Sequence, residues 1–74
     1  MHATLDIGGV RLGRRLDIDQ EAVALSRQIG DPEGLVFALA DLGLIASAQG
    51  DHKNAELLAR ESLAEARQIG RAHV

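Results

Sequence analysis

The chain has no cysteine, no tryptophan and no tyrosine, and it has a single phenylalanine, Phe37, and a single proline, Pro32. Without cysteine, neither a disulfide nor a thiolate metal site can stabilise the fold. The apolar content comes from alanine, leucine, valine and isoleucine, which favours helices and argues against a β-rich core. The sequence therefore predicts an all-α protein that depends on helix packing for its stability.

The chain also lacks a strong excess of charge of one sign. Its formal net charge is −3, and acidic and basic residues are interspersed. The only basic cluster is Arg11, Arg14 and Arg15, and it has no aromatic neighbours that could stack on bases. We interpret this cluster as a solvated helix end and expect no nucleic-acid partner.

Long hydrophobic runs are missing as well. Asp6 interrupts the first apolar stretch, which is too short for a signal peptide. Residues 34–48 contain only Asp41 and Ser47 as polar side chains, but a membrane helix needs about 20 apolar residues. We expect a cytoplasmic protein with no membrane partner.

Catalytic and metal-binding motifs are absent from the sequence. The histidines are His2, His52 and His73. None has a second ligand one helical turn away, so we predict no metal site. The serines within helical patterns are Ser26, Ser47 and Ser62, and none lies in a Gly-x-Ser-x-Gly elbow. Gly8-Gly9 lacks the Lys-Ser/Thr ending of a phosphate loop. We expect no catalytic residues, no cofactor and no enzyme.

What the chain does have is an internal repeat. Residues 21–30 are EAVALSRQIG and residues 61–70 are ESLAEARQIG, which match at six of ten positions at an offset of forty residues. A fixed period of this length is typical of helical repeat arrays.

The second half of the chain predicts two helices, at 32–49 and 52–69. Asp31 can accept the free N–H groups of the first turn, and Pro32 suits the first helical position. Asp51 can cap the second helix in the same way, while Gly50 and Gly70 are expected to end the two helices. The short connection at Gly50 folds the helices into an antiparallel pair.

An earlier helix is predicted at 14–29, ended by Gly30. Its apolar stripe consists of Ile18, Ala22, Leu25 and Ile29. Asp17 or Asp19 is expected to cap the better-formed part of this helix. Residues 1–13 have three glycines and no sustained periodicity, so they are interpreted as an irregular lead-in or a truncated repeat. Residues 71–74 are interpreted as the start of a truncated next repeat.

Leu39-x-x-Leu42-Gly43, the turn at Gly50-Asp51 and the small residue Ala55 resemble the tetratricopeptide repeat. The forty-residue period resembles the longer-helix variety found in bacterial regulatory proteins. The resemblance implies antiparallel helical hairpins in a right-handed α-solenoid segment. Residues 31–70 would form one complete repeat, and residues 14–30 the second helix of a preceding repeat.

The resemblance also implies a function as a protein- or peptide-binding scaffold. The ligand-facing positions of the family correspond here to Phe37, Ala40, Leu44 and Ser47. One alternative is a sensor or regulatory piece of a larger bacterial transcription regulator or signalling ATPase. Another is self-association, because the helix at 32–49 is apolar almost all round. Adjacent repeats or a homo-oligomer would then cover it, with Phe37, Leu42 and Leu44 among the buried contacts.

Overall fold

Three helices make up the chain in the computed structural model, which describes residues 3–72 and the side chains of residues 13–71. Helix α1 spans Ala3–Ile29, α2 spans Pro32–Ala48 and α3 spans His52–Ala72. The described part of the chain is therefore all-α, as predicted. Within it, no helix is at once long and apolar enough to cross a lipid bilayer.

Helix α2 lies between the other two helices and packs against both of them. On one side, Arg15 near the middle of α1 pairs with Asp41 in the second half of α2. On the other side, the Ser62 hydroxyl of α3 donates a hydrogen bond of 3.0 Å to the Val36 carbonyl of α2. Ser26 lies near Gly34 and Ala55 lies near Gly43, so later residues of one helix contact earlier residues of the next and both pairs run antiparallel.

Both connections end the preceding helix with a glycine in the left-handed region. Gly30 has φ 71° and Gly50 has φ 83°. The N–H of the following Asp31 bonds back to the Ser26 carbonyl at 2.8 Å, and the corresponding bond after Gly50 is also 2.8 Å. These bonds satisfy carbonyl groups that the helix ends leave free. The predicted stops at Gly30 and Gly50 are confirmed.

The two aspartates that follow these glycines cap the next helices. Asp31 Oδ1 accepts a hydrogen bond of 3.1 Å from the Gly34 N–H, and Asp51 Oδ1 accepts one of 3.3 Å from the Asn54 N–H. Each bond satisfies one of the unpaired donors in the first turn. The predicted starts of α2 and α3 are therefore confirmed, and α2 ends one residue earlier than predicted.

The predicted stop at Gly70 is wrong, because α3 continues through it to Ala72. The same four residues, Arg-Gln-Ile-Gly, end at Gly30 and at Gly70. After Gly30 come Asp31-Pro32, which disfavour helix and start a new one, whereas Arg71-Ala72 continue a helix readily. Residues 71–72 thus belong to α3, and residues 73–74, the rest of the segment interpreted as the start of a next repeat, lie outside the residues that the structure describes.

The predicted start of α1 near residue 14 is also wrong. The helix begins at Ala3 and passes through all three glycines of the segment interpreted as an irregular lead-in. A helical glycine costs about 1 kcal/mol relative to alanine, which lowers helix propensity but does not break a helix as proline does. Asp17 and Asp19 lie inside this helix, so neither caps it. Residues 1–2 lie outside the described chain.

The core is a small cluster between α1 and α2, and Leu58 is the residue of α3 that packs against it. Its buried members are Val23, Leu35, Ala38, Leu39 and Leu42, and Leu16, Ala22 and Leu58 pack against them. Leu39 is the most buried of these side chains, at 2% exposed.

Helix α1 does not bury the apolar stripe that the sequence predicted. Ile18, Leu25 and Ile29 are each more than half exposed, whereas Asp19, Val23 and Ser26 are buried. The small residues explain the orientation, because Ser26 packs closely on Gly34: a Cβ at Gly34 would lie 3.0 Å from the Ser26 hydroxyl oxygen. Close approach along this face leaves the more apolar stripe uncovered.

Candidate partner-binding grooves

Two grooves lie on either side of α2. The α2/α3 groove has a volume of about 760 Å³ and is lined by Ala40, Gly43, Leu44, His52, Ala55, Glu56, Ala59, Ser62, Leu63 and Ala66. The α1/α2 groove has a volume of about 460 Å³ and is lined by Arg15, Asp19, Ala22, Gly34, Phe37, Ala38, Ala40, Asp41 and Leu44. Ala40 and Leu44 border both grooves.

The forty-residue repeat brings the same positions of α1 and α3 into these grooves. The equivalent pairs are Arg15 and Ala55, Asp19 and Ala59, and Ala22 and Ser62. The first two pairs replace charged residues of α1 with alanines of α3. The repeat therefore builds two related grooves of different chemistry.

The α2/α3 groove is apolar and is formed by closely packed helices. A Cβ placed on Gly43 would lie 3.5 Å from the Ala55 carbonyl oxygen, so only a small residue fits without displacing α3. Leu44 and Leu63 border the groove and are 68% and 52% exposed. This surface suits aliphatic side chains of another helix.

The α1/α2 groove contains a bidentate ion pair. Arg15 Nε lies 2.9 Å from Asp41 Oδ2, and Arg15 Nη2 lies 2.6 Å from Asp41 Oδ1. The hydrogen bond from Arg15 holds the pKa of Asp41 below its usual value. The sequence predicts Arg15 in a solvated cluster and gives no sign of this pair, because the two residues are 26 positions apart and no local pattern connects them.

Asp19 lies beside this ion pair and shares a hydrogen bond with Asp41. The residue is only 9% exposed, and its Oδ2 atom is closed off from solvent. Burial raises the pKa of Asp19 to about 6, the hydrogen bond to Asp41 and the charge of Asp41 add to the rise, and the charge of Arg15 opposes it. The groove thus holds two carboxyl groups and one guanidinium.

Three of the four predicted partner-binding residues meet at the α1/α2 groove. Phe37 and Leu44 are 79% and 68% exposed, and the exposed Ala40 lies between them along α2. Ser47 is exposed but lines neither groove. Leu42 is buried in the core at 8% exposed, so the expectation that it takes part in self-association is wrong.

One exposed residue of the α1 stripe has a counterpart in α3 that packs against the core. Ile18 is 59% exposed, whereas its equivalent Leu58 contacts the core cluster. Ala22 and its equivalent Ser62 both contact their neighbours in the fold, through the core and through the hydrogen bond to Val36.

The α1 residues buried at or beside the α2 contact are Asp19, Val23 and Ser26, and their equivalents Ala59, Leu63 and Ala66 line the α2/α3 groove. Leu63 is 52% exposed against 9% for Val23, whereas Ala59 approaches Gly43 of α2. The faces by which α1 and α3 contact α2 therefore overlap and differ mainly at the position of Val23 and Leu63.

The remaining charged contacts have structural roles. Arg60 and Glu56 pair at 3.6 Å one turn apart on α3, as predicted, and both are exposed. Arg27 pairs with Glu61 and connects α1 to α3. Exposed pairs of this kind contribute at most about 1 kcal/mol. Among the described residues, no three histidine, aspartate or glutamate side chains are grouped to hold a metal ion.

No profile of a known protein family matches the chain. No curated protein and no solved structure matches it either.

Proposed function

We propose that the chain is a segment of a tetratricopeptide-like helical repeat scaffold that binds a protein or peptide. The repeated positions of α1 and α3 carry this proposal. Val23 and Ser26 are buried on α1, and their equivalents Leu63 and Ala66 line the open α2/α3 groove. A following repeat unit would cover these residues as α2 covers Val23, which is how stacked repeats contact one another.

The partner-binding surface in this proposal is the exposed side of α2. Phe37 and Leu44 are large apolar side chains with most of their surface in solvent. Ala40 leaves space between them, and Ser47 extends the same helix face by one turn. Exposed aromatic and aliphatic side chains that border a groove are typical anchors of protein interfaces.

Selection of a random peptide library displayed on phage, with the full chain as bait, tests this function. We expect enriched peptides whose affinity falls at least about tenfold in Phe37→Ala or Leu44→Ala, because truncating an interface anchor commonly costs more than about 1 kcal/mol. Leu57→Ala is the matched control, since Leu57 is 56% exposed but lines neither groove. If no peptide is enriched over the Phe37→Ala/Leu44→Ala double variant, the proposed function is wrong.

Self-association is a second candidate function, favoured by the amount of exposed apolar surface. Among the side chains that the structure describes, the large apolar ones more than half exposed are Ile18, Leu25, Ile29, Phe37, Leu44, Leu57 and Leu63. Apolar surface of this extent is unusual on a protein that works as a monomer. Sedimentation equilibrium across a wide concentration range tests this function, and a mass that stays monomeric at every concentration would exclude it.

A further inference from the structure

Two carboxyl groups and one guanidinium meet in the α1/α2 groove. Arg15 of α1 donates one hydrogen bond to each carboxyl oxygen of Asp41 in α2. Asp19, one helical turn after Arg15, is also hydrogen-bonded to Asp41. An ionised carboxyl group only accepts hydrogen bonds, so a bond between two carboxyl groups requires a proton on one of them.

The surroundings of the two carboxyl groups show which one carries that proton. Asp41 accepts two N–H groups from a cation, and this contact with Arg15 lowers its pKa. Asp19 is 9% exposed and its Oδ2 atom is closed off from solvent, so burial raises its pKa to about 6. The proton therefore resides on Asp19, whose O–H donates to the Asp41 carboxylate and connects α1 to α2.

Few apolar contacts hold α1 on α2. Among the described side chains of α1, Val23 is the only buried apolar one, and Leu16 and Ala22 are partly buried. The larger apolar side chains of this helix are more than half exposed, among them Ile18 and Leu25. Segments with few buried apolar contacts separate from the rest of a fold at low free-energy cost. The polar groups between α1 and α2 therefore have a large influence on how often α1 separates.

We propose that Asp19, Asp41 and Arg15 form a pH-sensitive switch that controls the contact between α1 and α2. With a proton on Asp19, the three side chains form a continuous chain of hydrogen bonds that stabilises α1 on α2. Without the proton, two buried carboxylates share one guanidinium, and α1 separates from α2 more often. The switch does not depend on the proposed binding function, because all three groups belong to this chain.

The direction of the pH effect follows from the groups that face Asp19. They are Arg15 from α1 and Asp41 from α2, and α3 contributes no described residue to this groove. When α1 separates, Asp19 returns to its ordinary pKa of 3.8, so the closed arrangement binds the proton more tightly and weakens as the pH rises through about 6. Asp41 has the opposite effect, but its lowered pKa confines that effect to pH values below the range tested here.

Hydrogen exchange of backbone amides, followed by NMR on the full 74-residue chain, tests the proposal. Rates at about pH 5 and about pH 7.5 are converted to protection factors, which removes the intrinsic pH dependence of exchange. A pKa of about 6 in the closed arrangement and 3.8 in the open one predicts protection of α1 amides about tenfold higher at pH 5. Protection in α3 should change less than about twofold, because α3 can separate from α2 without disturbing the α1 contact.

Two matched variants identify the group responsible. The side-chain amide of Asp19→Asn has the shape of the protonated carboxyl group and can donate to Asp41, so α1 should be equally protected at both pH values. Asp17→Asn makes the same change at an exposed position of the same helix and should keep the tenfold difference. Circular dichroism of both variants at both pH values should show unchanged helix content.

Carbon-13 NMR titration of the aspartate carboxyl groups provides an independent measurement on the unsubstituted chain. The Asp19 carboxyl should titrate near pH 6, and titration near its ordinary value of 3.8 would overturn the proposal. Protection that changes equally in α1 and α3 would overturn it too, since the proton would then stabilise the whole fold. A tenfold difference that persists in Asp19→Asn would assign the effect to another group. If that variant loses helix, the titration and the comparison of α1 with α3 in the unsubstituted chain still decide.

Discussion

The two grooves beside α2 are lined by equivalent positions of the forty-residue repeat, but the side chains at those positions differ. The α2/α3 groove is lined at the repeated positions by Ala55 and Ala59, and the α1/α2 groove by Arg15 and Asp19. The first groove is mostly apolar, with His52 and Glu56 as its charged or titratable lining residues, so another helix can cover most of its surface through apolar contacts. The second has a buried carboxyl group beside an ion pair, and burial there disfavours the charged form of that group. The repeat therefore determines which positions line the two grooves, but the side chains at those positions can differ.

The largest expected effect on stability comes from covering the α2/α3 groove with a further repeat unit. We predict that inserting a second copy of residues 31–70 directly after Gly70 raises the free energy of unfolding by roughly 2–4 kcal/mol. The new helix would cover Leu44 and Leu63, and full burial of a leucine is worth about 1.5–3 kcal/mol. The junction repeats the natural Gly30-Asp31-Pro32 turn. Urea unfolding followed by circular dichroism measures the change.

Leu63→Lys provides the control for this insertion. In the 74-residue chain it should change stability by less than about 0.5 kcal/mol, because Leu63 is 52% exposed there. In the extended chain it should remove most of the gain, since the lysine would lie under the added helix. Equal effects in both chains would show that the groove does not receive the next repeat.

The close contact between Gly43 and Ala55, at the α2/α3 groove, gives the next largest expected effect on stability. We predict that Gly43→Leu or Ala55→Leu destabilises the chain by about 1–3 kcal/mol, because added bulk must separate α2 from α3. A Cβ at Gly43 already lies 3.5 Å from the Ala55 carbonyl oxygen, and a leucine extends beyond it. Leu44→Ala should cost less than either change, since Leu44 is 68% exposed. Denaturant titration of the purified variants compares them.

Gly43→Ala is the matched control for the overpacked variants. Its single methyl group makes ordinary contacts of 3.5–3.8 Å with α3, and alanine favours a helix over glycine by about 1 kcal/mol. The variant should therefore be at least as stable as the natural chain. If leucine at this position is tolerated as well as alanine, the helices are not held together by close approach here.

The substitution Asp19→Ala gives the α1/α2 groove the residue that the α2/α3 groove has at the equivalent position, Ala59. We predict a gain of roughly 1–2 kcal/mol at about pH 7.5, because the change removes a carboxylate that is buried beside the carboxylate of Asp41. The pKa of this group is about 6 in the folded chain against an ordinary value of 3.8. The folded state therefore holds more protons between these values, and stability falls as the pH rises through them.

The pH dependence separates this explanation from a simple packing gain. The advantage of Asp19→Ala should be complete above about pH 7 and should disappear below about pH 3, where Asp19 is protonated in both states. Asp41 has a lowered pKa and acts in the opposite direction, adding stability that is lost as the pH falls. Unfolding free energies at several pH values show the difference between the proteins. A gain that is the same at every pH would contradict the role assigned to the carboxyl group.

The sequence was sufficient to predict features set by neighbouring residues. The caps at Asp31 and Asp51 and the stops at Gly30 and Gly50 depend on local backbone and side-chain contacts, and the structure has them all. The exposure of Phe37 was also foreseeable, because α2 is apolar on more sides than two neighbours can cover.

Features set by tertiary packing were not predictable in this way. The apolar stripe of α1 indicated one buried face, but contact between Ser26 and Gly34 selects another. Asp19 then lies buried where a helix cap was predicted, and Arg15 pairs with Asp41 across the hairpin. Periodicity identifies which residues could be buried together, whereas the partner helix decides which face is used.

The smallest expected effect concerns the end of α3, which differs from the end of α1 although both contain Arg-Gln-Ile-Gly. We predict that the double change Arg71→Asp/Ala72→Pro ends α3 at Ile69 and alters stability by less than about 1 kcal/mol. Proline disfavours helix in the residue before it, and an aspartate after the glycine recreates the sequence at Gly30. Backbone NMR chemical shifts of residues 68–71 would change from helical values, with Gly70 moving to positive φ. Arg71→Lys is the control and should keep the helix intact. Helical shifts that persist at Gly70 in the double variant would mean that packing of α1 on α2, rather than the Asp-Pro pair, produces the stop at Gly30.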